Sequence, residues 1–198
     1  MRRSRKLLLT AAAAAGIAIP TVIAGVAFAH GYNDNPPSRQ ALCHAGTVAD
    51  CGDIQYEPQS VEGPKGFPAA GPADGSICSA GHGNFSQLDD PRGGDWPATS
   101  INTGAQTFHW TLTAQHSTDK WEYFITKDGW DPSQPLTRAS LEDQPFFTQS
   151  DGGAKPPASV DLNVDVPSNK HGRHLILGVW TINDTANAFY SCMDVTIA

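Results

Sequence analysis

Between residues 107 and 116 the chain alternates with a period of two. Phe108, Trp110, Leu112, Ala114 and His116 fall on one face, and Thr107, His109, Thr111, Thr113 and Gln115 on the other. A helix would scatter these residues around its circumference, whereas a strand sets every second side chain on the same side. Aromatic and β-branched residues also suit a half-buried pleated surface. The pattern recurs. Trp121 to Thr126 reads as a second strand, and the stretch His116-Ser117-Thr118-Asp119-Lys120 between the two reads as a turn. Val160, Leu162, Val164 and Val166 alternate with polar partners, Leu175 to Ile182 is an apolar run long enough for a central strand, and Phe189 to Ile197 gives a last strand. Helical periodicity is scarce after residue 30. Short strands separated by Gly and Pro define an antiparallel β-sandwich.

Residues 33–104 break this rhythm. They are rich in Gly and Pro, show little periodicity, and read as an ordered surface insertion. The chain has four cysteines, Cys43, Cys51, Cys78 and Cys192. An even number in a secreted chain reads as two disulfides, for which three pairings exist. Cys43–Cys51 is the natural local staple, which leaves Cys78–Cys192. No C-x-x-C spacing is present to favour a zinc site.

The first residues read as a leader. Arg2, Arg3, Arg5 and Lys6 precede an apolar stretch from Leu7 to Ala29, interrupted by Gly16, Pro20 and Gly25. Ala27-Phe28-Ala29 has the small-x-small form that a signal peptidase cuts after. Residues 1–29 are therefore expected to be a removed signal peptide, by the general or the twin-arginine route. Residues 30–198 are expected to remain as a single secreted, extracellular domain with no appended binding module. The leader holds four of the 13 Lys and Arg and none of the 20 Asp and Glu, so the mature chain has a net charge of −11. Nucleic acid and anionic membranes, which need a basic face, are not expected partners.

Cleavage after Ala29 makes His30 the first residue, with an imidazole and a free α-amine on one residue. The amine has an ordinary pKa of about 7.7–8, so a metal displaces its proton easily. Copper(II) favours such tetragonal nitrogen sites and heads the affinity order for them. His116 shares the inward parity of Ala114 and Leu112, and a side chain as small as Ala114 leaves space beside a metal. Phe189 can close an axial direction. His44, His82, His109, His171 and His174 read as bystanders to the metal. His109 lies on the opposite strand face from His116, and His171 and His174 flank a hairpin tip at Gly172-Arg173.

Taken in order, these segments resemble the lytic polysaccharide monooxygenases of auxiliary activity family 10. The resemblance rests on His30-Gly31-Tyr32, Gln55 to Gly63 (QYEPQSVEG), Gly71 to Gly75 (GPADG), Thr113 to Ser117 (TAQHS), Tyr123 to Lys127 (YFITK), Gln134 to Arg138 (QPLTR) and Asp184 to Tyr190 (DTANAFY). It runs over essentially all of residues 30–198. It implies an immunoglobulin/fibronectin-III-like antiparallel β-sandwich with a long loop and short-helix insertion between the first strands.

The resemblance also implies a site. One copper ion would be held by the amine and ring of His30 and the ring of His116, with Ala114 and Phe189 shaping the axial directions and Glu62 beside them. Asp184 and Thr185 would lie on a flat face near the metal, and Tyr56, Glu57, Pro58, Thr113 and Asn187 match chitin-contacting positions. The activity implied is oxidative cleavage of β-1,4 bonds in crystalline chitin, with oxidation at carbon 1. It would be fed by an external electron donor and by oxygen or hydrogen peroxide, and the protein is expected to act as a monomer. Alternatives at this stage are the same chemistry on cellulose, a non-catalytic chitin-binding protein, and a copper carrier.

Overall fold

The computed structural model describes residues 29–198, so the expected leader, apart from Ala29, lies outside the described residues. Among the described residues, nine strands form two facing sheets, accompanied by one short α-helix. The smaller sheet has three antiparallel strands in the order β1 (His30–Asn35), β4 (Gly104–Ala114) and β7 (Ser159–Val166). The larger runs β2 (Glu62–Pro64), β9 (Asn187–Ile197), β8 (Gly172–Ile182), β5 (Thr118–Ile125) and β6 (Phe147–Ser150). A short β3 (Thr99–Ile101) joins β9 in parallel, the one such pairing among the described residues.

Strand alternation becomes the core directly. Phe108, Trp110 and Leu112 of β4 and Val160, Leu162, Val164 and Val166 of β7 point inward against Trp121, Tyr123 and Ile125 of β5 and Ile176 and Trp180 of β8. The rings of Trp121 and Trp180 stack with centroids 5.2 Å apart. The indole of Trp110 donates to the Tyr123 hydroxyl at 2.8 Å, and that hydroxyl donates to Asn33 Oδ1 at 2.6 Å. These bonds satisfy the polar atoms that large aromatics bring into a core. Two glycines permit this packing. A Cβ on Gly31 would meet Leu112 Cδ2 at 2.4 Å, and one on Gly178 would meet the Tyr123 ring at 2.9 Å.

The larger sheet is covered on its other face by the insertion, which explains the unbroken apolar run of β8. Leu175, Leu177 and Val179 pack there against Ile54, Val61, Phe67, Ile77 and Trp96. The insertion holds α1 (Arg39–His44), several 3-10 turns, and the short strands β2 and β3. Ser38 caps α1, its hydroxyl accepting from Ala41 N–H at 3.4 Å. Both disulfides form as the spacing suggested: Cys43–Cys51 within the insertion, and Cys78–Cys192 from the insertion to β9. A buried Arg39–Asp194 pair at 2.7 Å makes a second tie to β9, with Arg173 also donating to Asp194 at 3.0 Å.

The strand limits differ from the sequence reading in two places. Thr118 to Lys120, read as turn, belong to β5, where Thr118 is buried and accepts from Trp180 Nε1 at 2.8 Å. Gly172-Arg173, read as a hairpin tip, begin β8, and the flanking His174 lies within it, buried against Thr126 Oγ1 at 3.0 Å. In both, polar residues with inward partners disguise the strand.

Candidate metal centre

The candidate centre lies at one end of the sandwich, where β1 begins and β4 ends. The register places His30 opposite Ala114. His116 follows two residues later, just past the strand, so the turn toward β5 carries it to the same end as His30. Phe189, near the start of β9, is fully buried, and its ring centroid lies 6.4 Å from that of His30. Phe189 in turn rests on Trp180 at 5.0 Å, so the aromatic core sets its position.

His116 is the unusual group. It is only 7% exposed, and neither ring nitrogen makes a hydrogen bond. Nδ1 stands 3.0 Å from Asp184 Oδ1, close enough for an ion pair if the ring is charged, but not aligned as a hydrogen bond. A buried nitrogen without a partner costs about 1–3 kcal/mol. A metal ion is a partner that removes this cost, so the ring fits the ligand role. With Nδ1 turned to a carboxylate, Nε2 is the nitrogen left for the metal. Among the described residues no group of three His, Cys, Asp or Glu side chains is arranged to hold a metal. A centre built on His30 and His116 therefore needs a third donor that is not such a side chain, and the α-amine of a processed His30 has the right chemistry.

Glu62, Asn187 and Asp184 lie at this end. Glu62 is in register with Phe189 across β2 and β9, and its Oε1 accepts from Asn187 Nδ2 at 2.8 Å. Asn187 is steadied by the Thr185 hydroxyl, which accepts from its N–H at 3.2 Å. Glu62 and Asn187, with Ser60 and His82, border an open recess of about 320 Å³. His82, read from the sequence as a bystander to the metal, bonds the Glu62 carbonyl oxygen through Nε2 and so fixes the backbone of this short edge strand. Tyr56 is 78% exposed, the one exposed large hydrophobic side chain among the described residues. Glu57 is half-buried, Thr113 is exposed, and the Asp184 side chain is 55% exposed. Pro58 differs from expectation. It is buried at the start of the 3-10 turn Pro58–Ser60, so it shapes the loop beneath Tyr56 rather than offering a contact surface.

A β-sandwich with His30 and His116 at one end and an exposed aromatic, Tyr56, on a loop is an arrangement suited to a metalloprotein. Known proteins make this specific. Residues 30–195 match the family model described as lytic polysaccharide mono-oxygenase, cellulose-degrading. The solved AA10 lytic polysaccharide monooxygenase from Streptomyces lividans is 55% identical, with a TM-score of 0.82 over 84% of this chain and 99% of that one. A Bacillus amyloliquefaciens CBM33 protein, solved in complex with Cu(I), is 40% identical, with a TM-score of 0.77 over 85% and 100% of the two chains. A lytic chitin monooxygenase of Streptomyces ambofaciens is 47% identical over 98% of this chain and 96% of its own length. The chain belongs to the auxiliary activity family 10 lytic polysaccharide monooxygenases. It spans about half or less of several other curated relatives, such as 40% of the GlcNAc-binding protein A of Shewanella oneidensis, which is 44% identical over 96% of this chain.

Proposed function

We propose that the protein, cut after Ala29 and secreted, cleaves β-1,4 bonds of crystalline chitin oxidatively, with oxidation at carbon 1. The observation that carries this reading is the buried His116 ring at the end of the sandwich where His30 begins β1, its Nε2 without a hydrogen-bond partner and its Nδ1 beside the Asp184 carboxylate. One copper ion would be held by the His30 amine, the His30 ring and His116. When bound, it supplies the one-electron chemistry that lets an external donor and oxygen or hydrogen peroxide attack an unreactive C–H bond. The lytic chitin monooxygenase and GlcNAc-binding protein relatives support chitin as the solid.

The chain's own groups do the rest. Asp184 orients the His116 ring through Nδ1. Phe189 and Ala114 limit access from the protein side. Asn187 holds the Glu62 carboxylate at the recess, where Glu62 can accept or return a proton beside the metal. Tyr56 offers an exposed ring to stack on a sugar. Glu57, Thr113, Asp184, Thr185 and Asn187 offer short polar groups for hydroxyl and acetamido groups, with Pro58 setting the loop.

The test is mass spectrometry of soluble products from β-chitin incubated with the copper-loaded processed protein and ascorbate, beside a control without reductant. Oligosaccharides heavier by one oxygen, formed only with reductant, are expected. Native oligosaccharides alone would point to hydrolysis and overturn the reading. Oxidised products from cellulose and none from chitin would move the substrate. A protein extended by one residue before His30 is expected to fold normally and lose activity, because its amine becomes a non-basic amide.

A further inference from the structure

The outer face of the smaller sheet carries a cluster that the copper chemistry does not use. Asp34 on β1, His109 on β4 and Ser159 at the start of β7 lie on three neighbouring strands. His109 Nδ1 bonds Asp34 Oδ1, and His109 Nε2 lies 2.8 Å from Ser159 Oγ. The Thr111 hydroxyl donates to the other carboxylate oxygen, Asp34 Oδ2, at 2.7 Å. An ionised carboxylate only accepts, so Nδ1 carries the proton, Nε2 of the neutral ring accepts, and the Ser159 hydroxyl donates to it. Carboxylate, imidazole and hydroxyl in this order form the relay that activates a serine nucleophile on several unrelated folds. The Asp34 and His109 side chains are about a third and a quarter exposed, and Ser159 is open to solvent.

A donor for the developing oxyanion is also at hand. β7 is the outer strand of its sheet. Leu112 N–H donates to Ala158 O at 2.8 Å, which sets the ladder so that even-numbered residues of β7 bond to β4. Ser159 therefore turns its N–H toward the open edge, beside its own hydroxyl, where an attacked acyl oxygen needs a donor. The surrounding charge is negative. Asp161 stands opposite His109 in the register, and Asp165 is exposed further along β7. Such a face repels anionic substrates and favours neutral or cationic ones.

We propose that Asp34, His109 and Ser159 form a second, hydrolytic site that cleaves neutral or cationic short-chain carboxylic esters. Ser159 Oγ attacks the acyl carbon while His109 Nε2 takes its proton. The bond from the acyl carbon to the alcohol oxygen breaks, and His109 returns the proton to that oxygen. Water, deprotonated by the same nitrogen, then attacks the acyl-serine, releases the carboxylic acid and restores the hydroxyl. No metal, oxidant or reductant takes part, so the site is independent of His30 and His116.

The test uses the whole protein, stripped of metal by a chelator. It is treated with a fluorophosphonate probe and mapped by peptide mass spectrometry, and its hydrolysis of p-nitrophenyl acetate is followed. An adduct on Ser159 is expected. Ser159→Ala, at an exposed strand position that tolerates alanine, and His109→Gln should each abolish the adduct and slow hydrolysis on the order of 10²-fold. All variants should oxidise chitin as the parent does. An acetate ester of a cationic alcohol should react faster than an anionic ester at low salt, with the gap closing as salt rises. No adduct at Ser159, or hydrolysis undiminished in Ser159→Ala, would overturn the proposal and leave the three residues as a cross-strand bonding ladder.

Discussion

The His116 ring is buried with Nε2 lacking a hydrogen-bond partner and Nδ1 held only by its contact with Asp184. The cost of the unpartnered nitrogen is what metal binding relieves, so removing the ring should separate affinity from stability. His116→Ala is expected to lose tight copper binding by calorimetry, while the chelator-treated variant melts no lower than the parent, since about 1–3 kcal/mol of unsatisfied polarity goes with the ring. A marked fall in its melting temperature would mean the ring is held for packing. Gly31 is the converse case. A Cβ there collides with Leu112 Cδ2 at 2.4 Å and nears the Trp180 ring at 3.1 Å. Gly31→Ala should cost about 1–3 kcal/mol by overpacking. Because it shifts β1 next to His30, it should also weaken copper binding, so melting and calorimetry should change together.

β9 gathers most of what the protein needs. It brings Asn187 and Phe189 to the candidate centre, Cys192 to the long disulfide and Asp194 to the buried ion pair, while pairing with β2, β3 and β8. Cys78–Cys192 spans 114 residues and is worth about 4–5 kcal/mol in the chain-entropy view. Replacing both cysteines with serine should lower stability by several kcal/mol in denaturant titration. Replacing Cys43 and Cys51, eight residues apart, should cost less. The long strands were legible because ten or so residues of alternation leave no other reading. β2 and β3 were not, because three residues carry no period. Thr118 was missed because its hydroxyl is bonded inside the core, and a polar letter in a sequence does not reveal its partner.

At the scale of the whole molecule, acid sensitivity has a specific seat away from the candidate centre. Burial first, then the nearby Lys170 ammonium, push the His174 pKa below its ordinary 6.5, opposed by Asp128. Lys170 is itself held by Asp128 at 3.0 Å and Glu142 at 2.6 Å. The unfolded chain therefore takes up a proton that the folded chain refuses. This contribution to stability is intact above pH 6.5 and is lost progressively as the pH falls from there through the lower folded value. His174→Gln should flatten the dependence of melting temperature on pH between about 5 and 8. The two sites differ in how far the sequence disclosed them. His30 was singled out by the expected cut site, and His116 by strand parity together with the neighbouring Ala114, Phe189 and the family resemblance; their metal role is the proposal made above. Asp34, His109 and Ser159 are spread over more than a hundred residues, and only the register of three strands brings them together. Lastly, all four disulfide cysteines are nearly sealed from solvent, between 0% and 3% exposed. Thiol exchange requires access to sulfur. A small thiol added as electron donor is therefore expected to leave both bridges intact, a result that thiol counting by mass spectrometry would check.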